Sequence, residues 1–150
     1  MKKLLVILGV ISLGLVVLVG ALIGYAAFTG GKLDSSSKAY VDANLPPIIS
    51  GWSEIELRRR ASPEFLRATP AGLDRLFSKL KQLGPLKRYE GSRGGSRISL
   101  TTQNGKVVSA GYVASAVFQN GSARIRVGLI REGGQWRILS FYVDSPIFSK

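Results

Sequence analysis

Ala123-Arg124-Ile125-Arg126-Val127-Gly128-Leu129 alternates large apolar residues with arginine or glycine, and Glu132-Gly133-Gly134-Gln135 separates it from Trp136-Arg137-Ile138-Leu139-Ser140-Phe141-Tyr142-Val143. A period of two sends alternate side chains to opposite sides of a strand, and a Gly-rich turn supplies the positive φ angles of a tight hairpin. The stretch therefore reads as an antiparallel hairpin with one buried and one partly wet face. Upstream, Asn104-Gly105 and Asn120-Gly121 announce two more hairpin turns. Strands are predicted near 97–102, 107–118, 123–131 and 136–144, with an earlier one over 86–90. Gly111, inside the long third segment, predicts a bulge or bend that curls the sheet. In the last strand Trp136, Ile138 and Tyr142 share one parity, and Leu139, Phe141 and Val143 the other. That strand is expected to pack one face on helices and to offer the other to a partner, a pocket or a second subunit.

Before residue 86 the pattern is helical. Leu73, Leu76, Phe77, Leu80 and Leu83 recur at spacings of three and four, ahead of Gly84-Pro85, so a helix over 70–83 is predicted with this stripe as its core face. Ser53 with Glu56 reads as a capping box, and Ser62-Pro63-Glu64 and Thr69-Pro70 as two further helix starts. An earlier short helix is expected to use Ala39, Tyr40, Ala43 and Leu45, until Pro46-Pro47 bends or ends it.

Residues 4–28 are 25 consecutive residues without a charge, preceded by Lys2 and Lys3. As a helix they extend roughly 37 Å, more than the roughly 30 Å of a bilayer's hydrocarbon core. The alternative, a cleaved signal peptide, has a shorter apolar region, although Gly24-Tyr25-Ala26 offers a weak cleavage pattern. Lys2 and Lys3 favour a cytoplasmic amino terminus, and Lys32 and Lys38 behind the run weaken the asymmetry. The expected organisation is a transmembrane anchor over 1–28, a flexible tether over 29–37 containing Gly30-Gly31 and Ser35-Ser36-Ser37, and one domain over 38–150. The chain is thus expected to be a single-pass membrane protein with its domain outside the cytoplasm, as at a bacterial inner membrane facing the periplasm. Gly20 and Gly24 form a Gly-x-x-x-Gly pair that lets two membrane helices approach closely.

Of 21 Lys and Arg, only Lys2 and Lys3 precede the apolar run, which leaves 19 against 9 acidic residues in the remainder. Eleven cluster between residues 58 and 97: Arg58, Arg59, Arg60, Arg67, Arg75, Lys79, Lys81, Lys87, Arg88, Arg93 and Arg97, facing only Glu64, Asp74 and Glu90. Beside a membrane, such a segment suits anionic lipid or an acidic envelope polymer, each basic residue adding about 1 kcal/mol at an anionic surface. A solvated basic surface that aids solubility is the plainer alternative. Nucleic acid is disfavoured, because the aromatic residues fall in core patterns and no stacking platform interleaves the basic ones. Gly91-Ser92-Arg93-Gly94-Gly95-Ser96 lacks the P-loop spacing and is expected as a mobile loop. The chain has no cysteine and no histidine, which removes thiol nucleophiles, Ser-His and Cys-His pairs and thiolate zinc sites. No catalytic residue, cofactor site or metal site is assigned.

Gly51-Trp52-Ser53, Ala61-Ser62-Pro63-Glu64 and a Leu/Phe helix ending in Leu83-Gly84-Pro85 precede a curled meander closing with Trp136-Arg137-Ile138 and Phe141-Tyr142-Val143. Over roughly 39–147 this arrangement resembles the NTF2-like, cystatin-like α+β superfamily, and within it small bacterial proteins with one amino-terminal membrane segment. The resemblance implies short helices packed on a curled antiparallel sheet of four or five strands. It also implies a ligand-binding module, an assembly component or an occasional acid/base enzyme, and fold alone does not choose among them. Tyr112, Trp136 and Tyr142 are the candidates to line a pocket in the cone of such a sheet, with Asp144 nearby as the carboxylate that isomerase-type chemistry needs. No motif carries a catalytic residue over, so the expectation is a non-enzymatic, membrane-anchored module for a protein partner or self-association.

Overall fold

The computed structural model describes the backbone of residues 2–69 and 71–149, with side chains for 15–24, 30–69 and 71–149. It is an α+β protein. The elements are α1 (Lys2–Ile49), α2 (Glu54–Arg60), α3 (Pro63–Ala68), α4 (Leu73–Leu80) with a 3-10 turn over Lys81–Leu83, then β1 (Leu86–Thr101), β2 (Gly105–Phe118), β3 (Gly121–Glu132), β4 (Gln135–Asp144) and a last 3-10 turn over Pro146–Phe148. Two compact units divide the chain, Met1–Leu33 and Asp34–Lys150.

In the first unit, Leu15, Val16, Val17, Leu18, Leu22 and Ile23 are all exposed, and a Cβ built at Gly20 or Gly24 would meet nothing within 4 Å. Among the described residues no helix is long and apolar enough to cross a membrane. The side chains of most of the expected span, at 4–14 and 25–28, lie outside the described set, as do Tyr25 and Ala26 of the cleavage pattern.

The second unit is a curled four-stranded antiparallel meander in the order β1-β2-β3-β4, with helices packed on one face. Alternation decides which face. Ala110, Tyr112, Ala114, Ala116 and Phe118 of β2 and Ala123, Ile125, Val127 and Leu129 of β3 are buried, and the residues between them point to the open side. Part of the cover is the second half of α1, whose stripe of Ser37, Val41, Leu45, Ile48 and Ile49 is buried at helical spacing. This corrects two expectations. Residues 30–37 continue the helix instead of forming a flexible tether, because Asp34, Ser36 and Ser37 find hydrogen-bond partners on the sheet. Of the expected buried face of this helix, Leu45 is buried and Tyr40 half-buried, while Ala39 and Ala43 are exposed.

Pro46 and Pro47 sit inside the last turn of α1, which ends within three residues of them. The Ser53 N–H then donates to the Ile48 carbonyl at 2.9 Å, a six-residue closing bond that puts Trp52 at φ 50°, where glycine is usual. Gly51 lies one position too early to take that role. The strain is accepted with a fully packed side chain: the Trp52 ring stacks on Phe118 at 5.0 Å and meets Phe77 edge-on at 6.5 Å, and Phe77 stacks on Phe141 at 6.3 Å.

Ser53 and Ser62 cap α2 and α3 as expected, accepting from Glu56 N and Phe65 N, but the expected capping box is not completed, because the Ser53 N–H goes to the Ile48 carbonyl and the Glu56 carboxylate to Arg59 and Arg60. Thr69 does not start a helix. Its hydroxyl donates to the Phe65 carbonyl at 2.7 Å and closes α3, while α4 begins after Gly72; Pro70 lies outside the described residues. Leu73, Phe77, Leu80 and Leu83 are buried as the stripe requires, and Leu76 is half-buried.

In the sheet, the two expected strands 86–90 and 97–102 form one strand, and 91–96 is part of it instead of a mobile loop. Its register shifts twice, between Leu86 and Arg88 and between Tyr89 and Ser92. Gly111 makes no bulge: it pairs directly with Gly95 on one side and Gly128 on the other. The first turn is a three-residue loop, since Thr101 pairs with Gly105, and Gly105 takes φ 65°. Only Gly133-Gly134, at φ 56° and 79°, forms the two-residue type I′ turn that such dipeptides favour.

The last strand is the main correction. A register shift between Gly128 and Leu129 opposite β4 pairs Leu129 with Ile138 but Gly128 with Ser140, so Leu139 is an extra residue. Parity switches there. Trp136, Ile138 and Phe141 are all buried, whereas Tyr142 is exposed. The apparent second apolar face of β4 is a bulge in one strand, not an unused surface.

Gly94 packs against β2 so closely that a Cβ built there would collide with the Gly111 carbonyl oxygen, while a Cβ at Gly111 would meet nothing within 4 Å. Gly94→Ala is expected to lower the unfolding free energy by about 1–3 kcal/mol and Gly111→Ala to change it little, as read from urea midpoints at constant slope.

Candidate functional site

The eleven basic residues between 58 and 97 are not brought together, Arg67 lying on α3. Arg58, Arg59 and Arg60 lie on α2 and are paired within it: Arg58 meets Glu54 at 2.6 Å, and Glu56 receives Arg59 at 3.1 Å and Arg60 at 2.5 Å. The hydrogen bond from Arg60 holds the Glu56 carboxyl below its ordinary value, with the charges of Arg59 and Arg60 adding to it. Arg60 also reaches the Asn44 side-chain oxygen at 2.9 Å, tying α2 to α1. Arg75, Lys79 and Lys81 belong to α4 and its 3-10 extension, where the Lys79 ammonium lies 5.0 Å from the Phe148 ring centre. Lys87, Arg88, Arg93 and Arg97 are on β1, and Arg88 is paired with Glu90 at 2.7 Å.

The three pocket candidates do not converge either. Tyr112 is buried with its hydroxyl 2.7 Å from Ser37 Oγ, and it donates to the Asp34 carbonyl at 3.1 Å. Trp136 donates from Nε1 to Ser36 Oγ at 3.1 Å. Both hold α1 against the sheet. Tyr142 is on the opposite face beside Asp144, whose carboxylate is 3.6 Å from Arg124 at the surface.

A third polar tie was not foreseen. The Asp42 carboxylate on α1 accepts from the Tyr89 hydroxyl and Ser92 Oγ, both at 2.7 Å, and from Lys38 at 2.5 Å. Burial pushes this carboxyl up, but the hydrogen bonds from Lys38, Ser92 and Tyr89 outweigh it, so the group stays below its ordinary 3.8. Burial and the bond to Asp42 push the Tyr89 hydroxyl well above its ordinary 10.0. About two turns earlier, Asp34 accepts from the Ser96 backbone N–H at 2.7 Å and from its hydroxyl, and these bonds lower its pKa. Every partner of Asp42 is satisfied, so the cluster is a clasp rather than a poised base. Among the described residues, no group of three or more His, Cys, Asp or Glu stands ready for a metal ion.

What the fold does assemble is the open side of the sheet. Register places Arg93, Val113, Arg126 and Tyr142 in one row across all four strands, Arg97 beside Ser109 and Ile130, and Ser115 between the strands that carry Arg93 and Arg124. Arg93, Arg97, Arg124 and Arg126 are exposed, and the Arg126 guanidinium lies 5.9 Å from the Tyr142 ring centre. Val113, between the two arginines of the row, is 41% exposed and Tyr142 62%. The floor is small: Gly95, Gly111, Gly128 and Ser140 form the adjacent row. A depression of about 640 Å³ is lined by Arg93, Val113, Ser115 and Arg124 of this face together with Glu90, Gly91, Ser92 and, from α1, Lys38. The signal for this site was in the sequence as Arg124 and Arg126 alternating with Ile125 and Val127, but a basic stretch counted along the chain misses residues joined only by strand pairing. No known protein family, curated protein or solved structure matches the chain.

The Asp42–Tyr89 clasp predicts stability losses at both pH extremes. Asp42 titrates lower in the folded than in the unfolded chain, so its contribution is complete above about pH 4 and vanishes as pH falls through the folded value. Tyr89 titrates higher in the folded chain, so its contribution is complete below about pH 10 and is lost as pH rises beyond it. Tyr89→Phe is expected to destabilise at pH 7 by about 1–3 kcal/mol and to flatten the decline in urea midpoint above pH 10.

Proposed function

We propose that this protein is a membrane-anchored module, of NTF2-like or cystatin-like build, that binds a protein partner through the open arginine face of its sheet. In this reading residues 4–28 are the anchor, the amino terminus is cytoplasmic and the α+β unit works outside the cytoplasm. The observation that carries it is the row Arg93, Val113, Arg126, Tyr142, drawn from four strands onto a face where Val113 and Tyr142 remain exposed. Arginine and tyrosine flanking an apolar centre are the residue types enriched where protein interfaces concentrate their affinity. The charge calls for a carboxylate-bearing partner, because planar guanidinium groups pair with carboxylates in two-point fashion.

Lipid or an acidic polymer bound through residues 58–97 finds less support, since those charges are spread over several elements and three of them are already paired within α2. Acid/base catalysis has no support in the interior, where Tyr112, Trp136 and Asp42 are occupied as ties between α1 and the sheet.

A photo-crosslinking residue at Val113, in the full chain in intact membranes, should capture a defined protein or a second copy of this chain. The double variant Arg93→Glu/Arg126→Glu should reduce that capture about tenfold or more while leaving the thermal midpoint nearly unchanged. Capture that ignores the double variant, or no capture at position 113, overturns the reading. The anchor is tested separately: the chain should stay with membranes through alkaline carbonate extraction, and a reporter at its carboxyl end should be active only outside the cytoplasm.

A further inference from the structure

The tip of the β1–β2 hairpin carries side chains that the fold does not use. Burial on the helix side of β2 stops at Ala110, yet each of the two strands continues beyond it for five residues to their turn. On that extension Ile98 pairs with Val108 and Leu100 with Lys106, and all lie on the parity that is buried lower down the sheet. Ile98 is 42% exposed, and Leu100, at 81%, is more exposed than any other large apolar side chain described. Residues 97–108 contain two cations, Arg97 and Lys106, and no Asp or Glu. Exposed aliphatic groups with cations and no carboxylate match the chemistry of a bilayer surface bearing anionic headgroups.

The position of the tip fits that occupant. Ser96, two residues before Ile98, is held by the Asp34 carboxylate through its backbone N–H at 2.7 Å. Asp34 follows the last residue of the 4–28 apolar run by only six residues, which span at most about 21 Å even when fully extended. Leu100 lies four residues beyond Ser96, or about 13 Å of strand. Chain length alone thus confines the tip to within about 40 Å of the end of the 4–28 run.

We propose that the β1–β2 hairpin tip is a second membrane contact, with Leu100 and Ile98 entering the headgroup and upper acyl region and Arg97 and Lys106 engaging anionic headgroups. The inference rests on the anchor reading above. It gives the module a two-point attachment, the apolar run and the hairpin.

The chain has no cysteine, so a single one reports without interference. Leu100→Cys and Ile98→Cys, each labelled with a polarity-sensitive fluorophore, are compared in the full chain reconstituted in vesicles containing phosphatidylglycerol, with Ile55→Cys on α2 as the exposed control. The expected result is a blue shift and quenching by lipids with a nitroxide high on the acyl chain at positions 98 and 100, and neither at 55. Adding Leu100→Glu should abolish the quenching at 98. If the chain floats with the vesicles and resists carbonate but the labels at 98 and 100 stay aqueous, the hairpin contact is overturned and the anchor stands. A label that becomes apolar without lipid quenching, and crosslinks to a second copy, overturns it in favour of a protein occupant. Failure of the chain to float removes the anchor and this inference together.

Discussion

A four-stranded sheet with one apolar face must have that face covered, and in this chain the cover includes a helix that arrives from the amino-terminal side before any strand exists. Val41, Leu45, Ile48 and Ile49 supply the apolar part of the cover, at about 1.5–3 kcal/mol for each fully buried side chain. Apolar stripes slide, because burial has no direction. The polar contacts of Asp34 with Ser96, Ser37 with Tyr112, Ser36 with Trp136 and Asp42 with Tyr89 and Ser92 fix the position of α1 over β1, β2 and β4. Ser37, Ser92, Tyr112 and Trp136 are buried and Asp42 and Tyr89 half-buried, so leaving them unpaired is costly and a slip along the sheet would break several of these bonds at once. The single placement of the helix follows from that penalty more than from the bonds' net strength.

Much of this was legible in sequence where one local rule dominates. The period of two in β2 and β3, the Leu73–Leu83 stripe and the serine caps of α2 and α3 all act within a few residues, and the structure shows them as read. The misreadings share a cause: they needed a partner far along the chain. Ser36 and Ser37 read as tether because a serine run lacks apolar period, yet their hydroxyls meet residues 100 and 75 positions away. Gly91 to Gly95 read as a loop because strand pairing with β2, not local propensity, holds it extended. In β4, a single extra residue opposite Gly128 and Leu129 inverted the parity from which a second apolar face was inferred.

The candidate site was hidden for the same reason. Charge density along the chain pointed to 58–97, but a sheet gathers residues by register, and register brought Arg93 alongside Arg126 rather than alongside Arg75 or Lys79. Helices spend their charges locally instead. Three arginines in α2 find glutamates three or four residues back, an arrangement that any helix with that spacing can make and that leaves little charge for a partner.

The open face is a consequence of layer number. A domain of about 115 residues can afford one helical layer on one sheet, and the same alternation that buries Ile125, Val127 and Leu129 then obliges Arg124, Arg126 and Gly128 to face out. A face serving only solubility needs charge and nothing more. Here β2 sets Val113 between Arg93 and Arg126, β4 adds an exposed Tyr142 under the Arg126 guanidinium, and a row of glycine and serine keeps the neighbouring backbone accessible. Exposed valine and tyrosine add nothing to solubility, and the binding reading proposed above uses them as the apolar centre between the arginines. Solvation accounts for the arginines alone, whereas the proposed binding accounts also for what lies between them.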